Sequence, residues 1–190
     1  MTTTFHSLRD HLLISMPHLN DLHFSQTVTY ICDHSEYGAM GIVINRPVGI
    51  TLADLCDHLD ILCPSISDQQ QPVFFGGPVK PERGYVLHRA EDPKEWPDSY
   101  FITDDICLTT SVDIIELAGS GRLHSDYLVA LGCAGWGPGQ LEQEMVDNSW
   151  LSCPANSDIL FRIPAEDRLR AAASILGVNL DLLSAQAGHA

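Results

Sequence analysis

Basic residues are scarce in this chain. Ten Lys and Arg stand against 25 Asp and Glu, for a formal net charge of −15. The nearest approach to a basic cluster, Arg162, Arg168 and Arg170, is interrupted by Glu166 and Asp167. Binding to nucleic acid draws most of its affinity from neutralised phosphates. A chain this acidic, with no basic face, is therefore expected to bind no nucleic acid directly. The same repulsion opposes anionic membrane surfaces. Long apolar runs are also lacking: the longest extends about from Tyr127 to Trp136. A spanning helix needs roughly 20 apolar residues, so none is expected. The opening MTTTFHSLRDHLLISMP lacks a signal-peptide pattern, because LLI is too short for its apolar region and Asp10 and two histidines precede it. A cytoplasmic location is the expectation.

No two of the six cysteines (32, 56, 63, 107, 133 and 153) have C-x-x-C spacing. Reduced thiols are expected, with no metal and no cofactor. Cys32 and His34 lie two apart in a strand-like run and would share a face, which is thin support for zinc.

What is present reads as one globular domain spanning 1–190, with 45% hydrophobic and 18% charged residues. LLISM (12–16), TVTYICDH (27–34) and AMGIVINRP (39–47) read as strands, the last two as a hairpin around SEYG, with Pro47 ending the second. Thr51 opens a helix with a capping-box variant, T-L-A-D. PSISDQQQP (64–72) and AEDPKEWPDS (90–99) read as loops. Two short strands are expected in 72–88 around a Gly-Pro corner, and two more in 100–110 around Asp104-Asp105. Thr110 is expected to cap a helix over 111–118, with Asp113 at the capping-box position. DYLVALG (126–132) is the strongest strand, polar on neither side and so buried on both faces. A helix over 140–148, a strand at DILFRIP (158–164), a helix at 165–177 and a short helix at 179–188 complete the pattern. Strands outnumber helices, and hairpins mix with strand–helix units. That argues an α/β or α+β domain with a mixed sheet.

The stretch LGCAGWGPGQLEQEMVDNSW (131–150) invites a phosphate-loop reading, but the chemistry is missing. No Lys occurs after Lys94, and Glu142 sits in the first helical turn, where a phosphate would go. The G-x-G-x-x-G order is absent as well. A nucleophile elbow at Cys133 would need Gly at 131, which is Leu. Cys133 is therefore expected to pack rather than react. Glu142 and Glu144 point about 200° apart on a helix and cannot form one acid–base pair. Gln140, Glu144 and Asn148 share a stripe that could tie the helix to neighbouring chain, with Trp136 and Trp150 clamping its ends and Gly139 at the corner.

The segments LLISMPHLND, TVTYICDHSEYGAMGIVINRP, FFGGPV, RGYVLH, LTTSVDII, LVALGCAGWGPGQLEQEMVDNSWL and the C-terminal AGHA resemble the YqgE/AlgH family of bacterial proteins, in the family's order over nearly the whole chain. The resemblance implies a single α/β domain with a strongly bent, bulged sheet that closes toward a barrel, flanked by helices. It implies no established activity. Members carry the label of a transcriptional regulator, with no DNA-binding motif behind it here. The chain departs from the family by having Cys133 where Tyr is usual and Leu169 where Trp is usual.

Other residues are candidates for a ligand site. Asn45 and Arg46 close the hairpin, where Asn45 can bond nearby backbone and Arg46 can bind carbonyls, a carboxylate or an anionic ligand. Gly76 and Gly77 allow close backbone approach to a corner or a ligand. Arg83, His88 and Thr109 join them, with Thr110 and Ser111 nearby. The leading reading is a non-enzymatic cytosolic regulatory protein that binds a small ligand or a protein partner, of unknown oligomeric state. The alternative is a hydrolase or transferase with its site among the Asn45–Pro47, Gly76–Pro78 and Thr109–Ser111 loops. A pocket gathering Arg46, His88 and a carboxylate would favour the enzyme; a flat apolar patch would favour a protein partner.

Overall fold

The structure, a computed structural model, describes residues 5–90 and 98–180. Most of the loop expected at 90–99, most of the helix expected at 179–188 and the terminal AGHA fall outside the described residues. Ten strands and six helices are described. The strands are β1 (His11–Ser15), β2 (Val28–Ser35), β3 (Gly38–Val43), β4 (Pro47–Thr51), β5 (Pro72–Phe75), β6 (Val79–Arg89), β7 (Ser99–Phe101), β8 (Ile106–Thr109), β9 (Tyr127–Trp136) and β10 (Trp150–Pro154). The helices are α1 (Leu52–His58), α2 (Ile66–Gln69), α3 (Val112–Gly119), α4 (Gln140–Val146), α5 (Ser157–Phe161) and α6 (Ala165–Ile175).

Eight strands follow the order β10-β1-β2-β3-β9-β6-β8-β7, every neighbouring pair antiparallel. This sheet curls into a half-barrel. β4 and β5 form an antiparallel pair beside it, and β5 runs parallel to β9, which makes the sheet mixed. Side-chain alternation then sorts the core. Leu12 and Ile14 of β1, Tyr30 of β2, Leu87 of β6 and Leu128 of β9 enter the main cluster with Ile159, Leu160 and Ala172 of α5 and α6. Their strand neighbours Val86 and Val129 face the opposite way, onto α1 and α3. Leu13 and Ile31 also face away, onto Trp136, Leu141 and Trp150 around α4. The one sheet thus has helices on both faces.

Bulges bend it. The β2–β3 register shifts between Ile31 and Asp33, and the β6–β9 register between Val79 and Gly84. Gly132 stands within β9 at φ +71, and a side chain there would strike the Gly77 carbonyl. Only glycine fits so close a crossing.

Several sequence expectations require correction. DILFRIP is not a strand: its first half belongs to α5, whose cap Asn156 accepts from the Asp158 and Ile159 amides. An asparagine cap outweighed a run of apolar residues too short to separate helix from strand. Trp150–Pro154, a stretch to which the sequence pattern assigns no element, is β10 and pairs along the whole of β1. Pro47 begins β4 rather than ending β3, which stops at Val43. The helix start near 111 is capped by Ser111, which accepts from the Asp113 amide, while the Thr110 hydroxyl accepts from Arg83. The 64–72 loop contains the one-turn α2. The Thr51 capping box forms in both directions, with Asp54 accepting from the Thr51 amide at 2.8 Å.

Candidate functional site

The hairpin end Ile44-Asn45-Arg46 does not line a site; it holds one together. Asn45 Oδ1 accepts from the Val28 amide at 2.8 Å, and its Nδ2 donates to the Gln26 carbonyl at 3.0 Å. The Arg46 guanidinium donates to the carbonyls of Leu22, His23 and Ser25, and stacks 6.0 Å from the Phe75 ring. The Ile44 carbonyl accepts from Arg168 of α6. Three consecutive residues therefore fix the 22–28 segment on one side and α6 on the other.

Arg168 is the unusual member. It is 6% exposed, and no carboxylate pairs with it among the described residues. Its Nε donates to the Ile163 carbonyl at 2.9 Å, and its guanidinium lies 5.1 Å from the Phe74 ring. Burial lowers its pKa to about 10, with Glu166 opposing. Carbonyls and an aromatic face replace water around a cation that stays charged at neutral pH.

Between these two fixed walls lies a groove of about 470 Å³. Ser15, Pro17 and Gln26 form one side; Glu166, Leu169, Arg170, Ala173 and Ser174 of α6 form the other, with 178–180 at the end. The volume is in the range of small-molecule sites. Gln26 is held in the left-handed region at φ +57, a conformation that costs free energy for a residue other than glycine and is maintained here by Asn45. The Ser15 hydroxyl accepts from the Thr27 amide at 2.9 Å, and Ser174 donates to the Arg170 carbonyl at 2.8 Å. Both hydroxyls are engaged with backbone, and among the described residues no His or Cys lines the groove. Nothing among the described lining residues forms an activated nucleophile with its base.

The remaining candidates lie elsewhere. Gly76 and Gly77 pack their backbone against Gly132 and Cys133, so their bareness serves the chain crossing. His88 is buried in β6; its Nε2 meets the Thr109 hydroxyl at 2.8 Å, and Ser99 meets the same hydroxyl at 2.7 Å. Its Nδ1 lies 2.9 Å from the Arg89 carbonyl. Arg83 reaches Thr110 at 3.1 Å and lies over Tyr85. Asn45 and Arg46 adjoin Gly76 through the Phe75-to-Arg46 backbone bond, but β9 separates that corner from the His88–Thr109 pair on β6 and β8. The groove contains none of these residues.

The glycine-rich corner is closed. Both indoles, Trp136 and Trp150, donate to the same Glu144 oxygen at 2.9 and 2.8 Å, and Gln140 donates to the other at 2.9 Å. Gln140 Oε1 accepts from the Gly137 amide at 3.0 Å. The two indoles meet edge to face at 6.1 Å, and Phe24 touches both. Gly139 caps α4 at φ +73, and Asn148, at φ +56, turns the chain toward β10 rather than extending the Gln140–Glu144 stripe. Glu142 meets His34 Nε2 at 3.0 Å. The Leu8 amide donates to Nδ1 of the same ring at 2.8 Å, so Nδ1 accepts and Nε2 carries the proton. This also corrects the pairing of His34 with Cys32: the bulge between Ile31 and Asp33 breaks the alternation, so Cys32 enters the main core while His34 faces α4. Among the described residues no group of three or more His, Cys, Asp or Glu could hold a metal. Cys133 is buried beside Tyr85, whose hydroxyl burial and that thiol push up to about 12.

A sequence profile described as AlgH-like matches residues 12–181. The chain belongs to the AlgH-like family. It is 46% identical over 183 residues to a UPF0301 protein of Nitrosospira multiformis, covering 96% of this chain and 97% of the relative. It is 48% identical over 188 residues to one of Thioalkalivibrio sulfidiphilus, covering 99% and 100%. Among solved structures, the solution structure of the AlgH protein from Pseudomonas aeruginosa aligns with a TM-score of 0.78 at 45% identity, over 100% of both chains. A crystal structure of a Corynebacterium diphtheriae protein aligns at TM-score 0.75 and 20% identity, over 96% and 94%, which shows the shared fold. These relatives carry family names and establish no activity.

The groove has no signal in the sequence stronger than the helix period of α6. Gln26 and Ser174 are 148 positions apart, and only the tertiary fold brings them to one cleft. Asn45 was legible as a turn-bonding residue, but its beneficiary, Gln26, was not.

Proposed function

We propose that the protein is a non-enzymatic small-ligand binder whose site is the groove between Gln26 and α6. The observation that carries this reading is the convergence of Ile44, Asn45 and Arg168 on its two walls, which holds a cleft of about 470 Å³ open against collapse. The lining mixes a cation, a carboxylate, two amides and two hydroxyls with Leu169 and Ala173. That suits a small ligand with an apolar body and charged or hydrogen-bonding ends. A regulatory role in the cytosol fits a binder that carries out no reaction on its ligand. The net charge of −15 argues against a direct nucleic-acid partner, and no helix among the described residues is long and apolar enough to cross a membrane.

A thermal-shift screen with small amino and carboxylic acids tests this reading. Ser174→Trp fills the groove from an exposed position. Hits should raise the melting temperature of the parent chain and leave Ser174→Trp unmoved. Equal shifts in both proteins would place the ligand elsewhere. Anisotropy with labelled duplexes near physiological salt should show no complex tighter than about micromolar; a sequence-selective one would overturn the exclusion of DNA.

A further inference from the structure

Two sulfurs lie together outside the groove. Cys56 is on the buried face of α1, and Cys63 is in the connection that follows. Both pack on Gly119 at the end of α3: a β-carbon there would lie 3.0 Å from the Cys56 sulfur and 3.3 Å from the Cys63 sulfur. Hydrogen bonds to main-chain carbonyls hold the connection in place. The Ile61 amide donates to the Cys56 carbonyl at 2.8 Å, Gln69 Nε2 donates to the Cys63 carbonyl at 2.8 Å, and the Ser65 amide donates to the Gly119 carbonyl at 3.1 Å. Of the six cysteines only Cys63 is not buried.

We infer that Cys56 and Cys63 are a peroxide-sensitive pair that closes to a reversible disulfide. Cys63 is the sulfur a solute reaches. As thiolate it attacks one peroxide oxygen, the O–O bond breaks, and the leaving oxygen departs as an alcohol, or as water from hydrogen peroxide. Cys63 is then a sulfenic acid. The Cys56 sulfur attacks the Cys63 sulfur, the S–O bond breaks, and hydroxide leaves with the Cys56 proton as water. Two thiols lose two electrons in total and one peroxide gains them. Burial, then the neighbouring Cys63 thiol, pushes the Cys56 thiol up to about 12, in keeping with its role as the second partner. Gly119 leaves room for both sulfurs, since a β-carbon there would press on each of them. Cys32 and Cys133 are also neighbours, but both are buried, so the dose that closes the first pair leaves them untouched.

The test treats the full native chain with hydrogen peroxide near stoichiometry and follows it by thiol counting and peptide mapping. The free-thiol count should fall by two per chain, the link should map to Cys56–Cys63, and dithiothreitol should restore both thiols. In folded Cys56→Ser, dimedone should trap a sulfenic acid at Cys63. In Cys63→Ser, thiol loss should slow at least tenfold. Six persistent thiols, a link through other cysteines, or Cys63 passing to sulfinic acid while Cys56 stays a thiol would overturn the inference.

Discussion

The two ends of α4 and the inner side of α6 use similar side chains to opposite ends. Around α4, the side chains of the glycine-rich corner meet one another: one carboxylate takes both indoles and an amide. Along α6, the backbone is tied down while Gln26, Glu166 and Arg170 line a cleft. Among the described residues Arg170 has only a long ion-pair contact, with Asp167 at 3.9 Å. Gly139 and Gln26 are both left-handed, yet one serves a helix start and the other faces a cavity. Glycine content and the outward look of a loop mark neither region as a binding site. What distinguishes them is whether the polar ends are already satisfied by the fold.

This comparison breaks first at the tryptophan corner. Trp136→Ala should destabilise the protein by about 3–5 kcal/mol, because the indole is buried in a small separate core. A loss below about 1 kcal/mol in urea unfolding would mean that the corner is not held by packing. Glu144→Ala should cost less, about 1–3 kcal/mol, by leaving two indole N–H groups without an acceptor. It should be strongly non-additive with Trp136→Phe, since both remove the same bond. Additive losses would show that Glu144 acts outside the network.

The same test applied to the groove's support is Arg168→Met. It removes the donor to the Ile44 and Ile163 carbonyls and should cost about 1–3 kcal/mol in chemical denaturation. The change should also abolish ligand shifts, if α6 needs Ile44 to hold its wall. An unchanged stability would mean that burying the charge costs as much as its bonds return.

The smallest effect is expected at α1, away from both regions. Thr51→Ala should cost about 0.5–2 kcal/mol by opening the capping box. Bonds from Thr51 hold the Asp54 carboxyl below its usual range. Its folded pKa is therefore depressed, and the capping contribution is present above the ordinary Asp range and lost as pH falls through the folded value. The difference in melting temperature between the parent chain and Thr51→Ala should accordingly narrow in acid and stay constant near neutrality.

Much of the sheet was legible because its periods are local. LLISM, TVTYICDH and DYLVALG alternate or run apolar where the curled sheet needs them, and the family resemblance supplied the bend. β10 was illegible because WLSCP owes its strand state to pairing along β1, some 140 residues earlier in the chain. α5 was misread because five residues cannot display a helix period, although Asn156 supplied a cap signal. At the candidate site, Asn45 and Arg46 were visible as bonding groups. Their partners lie in backbone carbonyls and amides, which sequence does not mark.

The most direct test is nitrogen–proton NMR of the labelled chain titrated with a mixture of small amino and carboxylic acids at millimolar concentration. Saturable shifts should cluster on Gln26, Glu166, Arg170 and Ser174, with the Trp136 and Trp150 indole signals unmoved. Shifts clustering on Gly137–Gln140 and the indoles instead, or no saturable shift at the groove, would contradict the account.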